Sequence, residues 1–351
     1  MRPRCRIALL GFGHVGFAVA YRLATPDAVP GLELTHIFDR RATLKRHAHG
    51  ELRVTWTHSI EEVLRADIDI VVEVLGGMEP ATQWIEAALA AGKSVVTANK
   101  QVIAREGLRL QRLAARQGRQ LRFEAAVGGA MPIVRAIVDG LAGDRITAIA
   151  AILNGTTNAV LSRIETSGCT LEQALDEARS SGYAEADPSA DLDGDDARAK
   201  LAILCGLAFG VAVDPEHIEG RSCASITSAD FERAREQGGT IRQIARASYE
   251  HRSRVLTASV TPAVVSSSTI FARASGPANA AIITGEHSGD TGMFGAGAGG
   301  DATAVAIVSD LVAIARDRAA VVPAPQLTSD FTLHTSDFVP RTSNFDFVEA
   351  V

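Results

Sequence analysis

Short apolar runs and stretches of helical spacing alternate through the first third of the chain. The runs fall at residues 6–10, 34–39, 68–75, 94–97 and 121–124, and a helical pattern over 15–23 follows the first of them. Such alternation predicts parallel strands joined by crossover helices, a doubly wound α/β sheet of Rossmann type over residues 1–131. From residue 132 the pattern changes. It predicts a helix over 132–141, an apolar strand over 146–153, and then a long helical region whose clearest member is 196–210. Two β-rich runs, 254–260 and 269–274, predict a second sheet, so residues 132–300 read as an α+β domain. Residues 289–300 form a second glycine-rich loop, and 301–322 hold an apolar helix, at 302–316, that returns to the first domain. The last segment, 323–351, turns to Pro, Ser, Thr and Phe and repeats a motif every seven residues: Thr328-Ser329-Asp330-Phe331, Thr335-Ser336-Asp337-Phe338 and Thr342-Ser343-Asn344-Phe345. The expectation for it is a draped or unstructured tail, with a docking segment as the alternative.

Composition narrows the class. A chain of 351 residues, 46% hydrophobic, exceeds what one core serves, so two domains are expected. Its 41 acidic and 35 basic residues leave a formal charge of −6, and no basic run stands out, which removes nucleic acid as an expected partner. Cys5, Cys169, Cys205 and Cys223 are far apart and form no C-x-x-C pair, so they read as scattered thiols of a reducing compartment. No signal-type apolar core follows Met1, and no apolar stretch reaches the ~20 residues that span a bilayer. A soluble cytoplasmic protein without membrane contact is expected.

Gly11-Phe12-Gly13-His14-Val15-Gly16 directly follows the first strand and opens the first helix. In that context the pattern reads as a dinucleotide site: Gly11 allows the tight turn, Gly13 lets backbone approach a pyrophosphate, and Gly16 lets helix and strand pack closely. The helix N-terminus supplies N–H groups to the phosphates. Asp39 ends the second strand, where a carboxylate holds a ribose 2′-hydroxyl, while the adjacent Arg40 and Arg41 suit a 2′-phosphate. NAD and NADP both remain open, with dual use favoured. Thr97-Ala98-Asn99-Lys100 ends another strand of this sheet, where ligands of such folds sit.

The acid-rich stretch from Tyr183 to Lys200 imitates a calcium loop but fails its test, because Asp196 and Ala202 stand where an EF-hand starting at Asp191 needs Gly and Glu. Asp196 and Lys200 are four apart on one helix face, together with Ile203, Leu204 and Leu207. They are either an ordinary surface ion pair or a lysine placed in apolar surroundings, where burial favours the neutral amine and an aspartate orients it for proton transfer. Leu153-Asn154-Gly155-Thr156-Thr157-Asn158 ends a strand and starts a helix; it either caps that helix or offers N–H and hydroxyl groups to a carboxylate-bearing ligand.

Taken together these segments resemble the homoserine dehydrogenases. The likeness rests on Gly11–Gly16, Val72-Glu73-Val74-Leu75-Gly76-Gly77, Thr97–Lys100, Glu124-Ala125-Ala126-Val127-Gly128-Gly129, the Leu153–Asn158 loop, Gly182-Tyr183-Ala184-Glu185-Ala186-Asp187-Pro188, Asp191–Lys200 and Gly295-Ala296-Gly297-Ala298-Gly299-Gly300. It implies NAD(P)-linked interconversion of L-homoserine and L-aspartate 4-semialdehyde on the route to threonine and methionine. By position it implies Lys200 as proton donor with Asp196 beside it, and Lys100 as a second active-site lysine. Glu185 would hold the substrate ammonium, Tyr183 and Asp191 would line the pocket, and Gly155 and Thr156 would add polar contacts. Gly76, Thr97 and Gly299 join the cofactor contacts, and Glu124, Val127, Gly129 and Met131 correspond to a monovalent cation site, commonly sodium. It also implies a homodimer or homotetramer through the second domain, and a short form with no ACT regulatory domain after it. Asp301 stands where the family usually has Pro, which puts the local turn in question. The competing readings are an oxidoreductase acting on another small amino acid and a cofactor-binding sensor without turnover.

Overall fold

The computed structural model describes residues 4–25, 29–297, 299–320, 325–334 and 347–349. The chain divides into two compact units, Met1–Ala130 with Gly300–Pro325, and Met131–Gly299 with Gln326–Val351.

The first unit runs β1 Cys5–Leu10, α1 His14–Ala24, β2 Leu32–Phe38, α2 Ala42–Ala48, β3 Thr55–Thr57, α3 Ile60–Arg65, β4 Ile70–Glu73, α4 Ala81–Ala90, β5 Ser94–Thr97, α5 Lys100–Arg116 and β6 Leu121–Arg122. The strands form a parallel sheet in the order β3-β2-β1-β4-β5-β6. Strand order reverses at the β1/β4 seam, the place where α/β sheets of this kind bind ligands. Ile7, Leu9, Ile37, Ile70, Val72 and Val96 bury one face of the sheet against Val19 and Ala20 of α1 and against Ile307, Leu311 and Ile314 of a closing helix, Gly300–Arg316. That closing helix is apolar on a wide face because it packs against both the sheet and α1. Asp301 sits in its first turn, where a carboxylate complements the positive helix end, so the helix starts normally without the proline.

The turn from β1 to α1 leaves no choice of residue at two positions. Gly11 has φ +102°, a backbone conformation that side chains resist, and a Cβ at Gly16 would lie 2.2 Å from the Gly11 carbonyl oxygen.

The second unit begins with α6 Ile133–Arg135, which runs on into a π turn at Ala136–Gly140. There follow β7 Ile146–Ile152, α7 Gly155–Ser167, α8 Leu171–Ser180, α9 Ser189–Leu192, α10 Asp195–Phe209, β8 Glu219–Gly220, α11 Ser228–Glu236, β9 Gly239–Glu250, β10 Val255–Ser266, α12 Ile270–Arg273, β11 Ala278–Gly285 and β12 Gly289–Ala296. The sheet order is β12-β11-β7-β9-β10, mostly antiparallel, and the outer edge of β10 is covered by β8 and two strands from the chain end, β13 Thr332–His334 and β14 Phe347–Glu349. Val160, Leu161 and Ile164 of α7 pack with Phe231 of α11 and Ile241 of β9 to form one core of this unit.

Four expectations change here. Residues 269–274 are not a strand: Thr269 caps the short helix α12, accepting the Ala272 N–H, and the apolar pattern reflects burial of Phe271. The glycine-rich run 289–296 is not a loop but β12, paired with β11 from Gly289↔Gly285 to Ala296↔Ala278. Strand β9 escaped notice because Arg242, Gln243 and Arg246 interrupt its apolar run, although all three are buried. Arg242 is held there by Glu165, 2.8 Å away, and by the carbonyls of Ile241, Ala272 and Ala274. Finally, residues 326–334 do not drape: Thr328 donates its N–H to Gly210 O at 2.7 Å and bridges Val211, and β13 extends the sheet. The second and third copies of the repeat, 335–338 and 342–345, lie outside the described residues.

Gly16→Ala forces the Gly11 turn to move. It is expected to cost about 2–3 kcal/mol in the first unit, the scale of overpacking at a site that cannot relax, and to be read as a lowered thermal midpoint with weakened dinucleotide binding. An unchanged midpoint contradicts the packing argument.

Candidate active site

In the second unit the chain leaves β7, passes Leu153 and Asn154, and enters α7. Asn154 caps that helix, its Oδ1 accepting the Thr157 N–H at 2.7 Å. The same side chain turns its Nδ2 the other way, donating to Asp191 Oδ1 at 2.7 Å and to Asp196 Oδ2 at 2.9 Å. Lys200, one turn along α10 from Asp196, brings Nζ 2.9 Å from Asp196 Oδ2 and donates to Leu153 O at 2.7 Å. The two side chains are only 13% and 4% exposed, which rules out the surface-pair reading. Thr156 donates to Tyr183 O at 2.7 Å, and Thr157 to Asp191 O at 2.8 Å. One network thus gathers Asn154, Thr156, Tyr183, Asp191, Asp196 and Lys200 from four separate segments. Gly155 is buried in the first turn of α7, where backbone N–H groups lack helical partners.

Glu185 is not part of that network. It is exposed, and among the described residues it makes no hydrogen bond. Tyr183 takes part through its carbonyl, its side chain being 39% exposed. Two residues escaped the sequence reading: Asn154 as a hub, not merely a cap, and Gln243, whose Nε2 lies 3.3 Å from the carbonyls of Asp191 and Leu192. Gln243 stands on β9, the strand the pattern did not reveal, so no local signal pointed to it.

In the first unit the glycine turn fits a pyrophosphate. A Cβ on Gly13 would meet nothing within 4 Å, so this backbone is open to approach, whereas Gly11 and Gly16 are closed by packing. His14 and Val15 open α1 behind it. Phe12 does not offer its N–H to a ligand: the N–H donates to Asp39 Oδ2 at 3.2 Å, and the ring packs on Trp56 and His49. Asp39 is also not a free ribose acceptor. Its Oδ1 takes the Arg41 N–H at 2.8 Å, and its Oδ2 takes Lys45 Nζ at 2.6 Å, while Lys45 also donates to Phe12 O. Burial raises the Asp39 pKa, but the hydrogen bonds and charge of Lys45, with the Arg41 and Phe12 N–H groups, outweigh it and hold the carboxyl below its usual range. The stabilisation this gives is present above the unfolded carboxyl's pKa and is lost only as pH falls through the depressed one. Arg40 and Arg41 are exposed beside the pair. Lys45 was missed because it lies six residues past the acid, on α2, outside any motif.

At the ends of β4 and β5, Gly76 and Gly77 have φ +76° and +72°, and Asn99 ties this loop to the next one, its Nδ2 donating to Gly77 O at 2.7 Å. Thr97 is fully buried with its hydroxyl given to Glu73, so that hydroxyl does not face a ligand. Lys100 is the first residue of α5, half-buried behind the Asn99 cap. A cation there opposes the helix dipole, a placement that suits contact with another charge. Gly299, with φ +109°, precedes the closing helix.

Glu124, Val127 and Gly129 lie in a tight buried turn of the first unit; the Glu124 carbonyl accepts the Val127 and Gly128 N–H groups, and its own N–H donates to Asp310. Met131 opens the second unit and is buried. Among the described residues no group of three or more His, Cys, Asp or Glu side chains could hold a metal, and no helix is long and apolar enough to cross a membrane. Burial pushes the Cys205 and Cys223 thiols up to about 12, so neither is a ready nucleophile.

A Rossmann unit with a fitting glycine cradle, together with a unit carrying a buried lysine–aspartate pair, defines an NAD(P)-dependent oxidoreductase. Sequence profiles agree: residues 11–124 match the homoserine dehydrogenase NAD-binding domain and residues 132–312 match homoserine dehydrogenase. The homoserine dehydrogenase of Mycobacterium tuberculosis is 42% identical over 323 residues, covering 89% of this chain and 72% of that protein. That of Corynebacterium glutamicum is 36% identical over 353 residues, covering 97% and 78%. Among solved structures, the homoserine dehydrogenase of Thiobacillus denitrificans superposes with a TM-score of 0.85 at 33% identity, over 94% of this chain and 79% of that one. A hyperthermophilic archaeal homoserine dehydrogenase in complex with NADPH gives 0.75 at 29% identity, over 91% and 99%. The chain belongs to the homoserine dehydrogenase family.

Asn154→Ala removes the group that holds both aspartates. With the cap lost, stability is expected to fall by about 1 kcal/mol and turnover by roughly 10²-fold, the scale of a small misplacement of reacting groups; turnover within a factor of two of wild type contradicts the hub role.

Proposed function

We propose that the protein interconverts L-homoserine and L-aspartate 4-semialdehyde with NAD(P), in the synthesis of threonine and methionine. The observation that carries the reading is the buried Lys200–Asp196 pair beside the α7 N-terminus. In reduction the Lys200 ammonium, steadied by Asp196 and Leu153 O, gives a proton to the developing alkoxide and becomes the neutral amine; in the reverse direction that neutral amine takes the hydroxyl proton of homoserine. Bound NAD(P) supplies the hydride acceptor. The N–H groups at Gly155 and Thr156 suit the substrate carboxylate, the acidic surroundings of Asp191 and Glu185 suit its α-ammonium, and Lys100 is the second lysine of the reaction.

A monovalent cation such as sodium suits the buried turn at Glu124, Val127 and Gly129, since carbonyl oxygens are hard ligands. A homodimer or homotetramer, a cytoplasmic location and the roles given to individual residues belong to the same reading. The archaeal relative in complex with NADPH supports use of the phosphorylated cofactor. So does Lys45, which cancels the charge of Asp39 that would repel a 2′-phosphate, next to Arg40 and Arg41.

Purified protein given L-homoserine and either NAD⁺ or NADP⁺ under alkaline conditions is expected to produce reduced cofactor; silence with both overturns the reading. Lys45→Ala is expected to weaken NADP⁺ relative to NAD⁺ by about tenfold, the value of one lost charge contact, as read from the ratio of the two kcat/KM values. An unchanged ratio removes Lys45 from cofactor choice.

A further inference from the structure

Glu73 is the last residue of β4 and is wholly buried. In register it pairs with Leu10 of β1 on one side and with Thr97 of β5 on the other, so it stands at the seam where strand order reverses. Its Oε1 accepts the Leu75 N–H at 2.7 Å and its Oε2 the Thr97 hydroxyl at 2.5 Å. Thr97 Oγ1 in turn accepts the Asn99 N–H at 2.9 Å. Both donors to the carboxylate are neutral, and among the described residues Glu73 forms no ion pair. A buried charge without a counter-charge is costly, and a fold that keeps one at a ligand crevice gains when a cation arrives.

The cofactor changes charge at one place during the reaction: its nicotinamide ring is a cation when oxidised and neutral when reduced. Asp39 and Lys45, on β2 and α2, mark the adenosine side of the crevice, so the nicotinamide belongs on the β4/β5 side. We propose that Glu73 is a cofactor-selecting positioning residue whose buried carboxylate, acting through the Leu75–Gly77 and Thr97–Asn99 loops that it ties together, favours the oxidised over the reduced nicotinamide. This rests on the dinucleotide reading of the first unit and adds to it a bias between the two redox forms. A purely structural hub would hold the loops equally for both.

The test is equilibrium binding of the oxidised and the reduced cofactor to the full chain, without substrate, by titration calorimetry, for wild type, Glu73→Gln and Glu73→Asp. Glutamine keeps an acceptor for Leu75 and a polar partner for Thr97 but removes the charge. In Glu73→Gln the oxidised form is expected to bind about tenfold more weakly, the order of magnitude for one buried charge felt through protein, with the reduced form within twofold of wild type. Glu73→Asp, which keeps the charge, is expected to hold the ratio of the two affinities near its wild-type value. Equal weakening of both forms in Glu73→Gln, or no change in their ratio, overturns the proposal. Should Glu73→Gln fail to fold, the wild type carries the test: the oxidised form is expected to bind at least as tightly as the reduced, and a tenfold preference for the reduced form overturns the proposal. If neither form binds the wild type, the dinucleotide reading itself falls; if both bind and the ratio ignores Glu73, only this proposal does.

Discussion

The contact between Lys200 and Asp196 governs the second unit. Taking two opposite charges out of water costs several kcal/mol per ion, and their attraction repays it only when further hydrogen bonds complete the site. Here Leu153 O receives the second ammonium proton and Asn154 Nδ2 binds the same aspartate oxygen. These partners arrive from the end of β7 and the start of α7, so the pair can exist only if strand, turn and helix are in register. Gly194, with φ +83° ahead of α10, fixes where that helix begins; a Cβ there would press on Val260 at 2.9 Å. The acidic first turn of α10, Asp195 and Asp196, also matches the positive end of the helix. At the other end Gly210 closes the helix in the left-handed conformation, and Thr328 from the chain's last segment fastens its carbonyl. The same helix is therefore held at both ends, and its charged turn is fixed against the end of β7 and the start of α7.

The first unit follows a different electrostatic logic. Two of its buried or half-buried carboxylates, Asp39 and Glu73, stand at the carboxyl ends of β2 and β4. Asp39 and Lys45 neutralise one another around the backbone of Phe12, whereas the Glu73 carboxyl is met by two neutral donors, the Leu75 N–H and the Thr97 hydroxyl. In the reading proposed above, the first end suits added negative charge and the second a cation. A dinucleotide with phosphates at one end and a ring that becomes cationic at the other presents the complementary pattern.

Much of this was legible in the sequence for reasons that can be named. The parallel sheet announced itself through apolar runs, since strands buried on both faces carry few polar residues. The glycine turn was legible because Gly11 and Gly16 answer to steric limits that no other residue meets. Spacing alone placed Asp196 and Lys200 on one face, but their burial depended on what lay above them. What stayed hidden was long-range. Asn154 read as a cap, and nothing local says that its other atom reaches 37 and 42 residues ahead to Asp191 and Asp196. Strand β9 hid behind its arginines because their partners, such as Glu165 and Ser259, come from elsewhere in the fold. Strand β12 hid because glycine lowers strand propensity, although pairing along β11 fixes it. The end segment looked like a tail by composition and became a sheet edge through backbone pairing that composition does not record.

The central claim is that Lys200 and Asp196 work as one unit. A double-mutant cycle on kcat/KM, with Lys200→Met, Asp196→Asn and the two combined, measures this directly. The account predicts that the combined variant loses little more than Lys200→Met alone, because an aspartate without its lysine has nothing left to orient. Losses that multiply, each substitution costing the same whether or not the other is present, would contradict it.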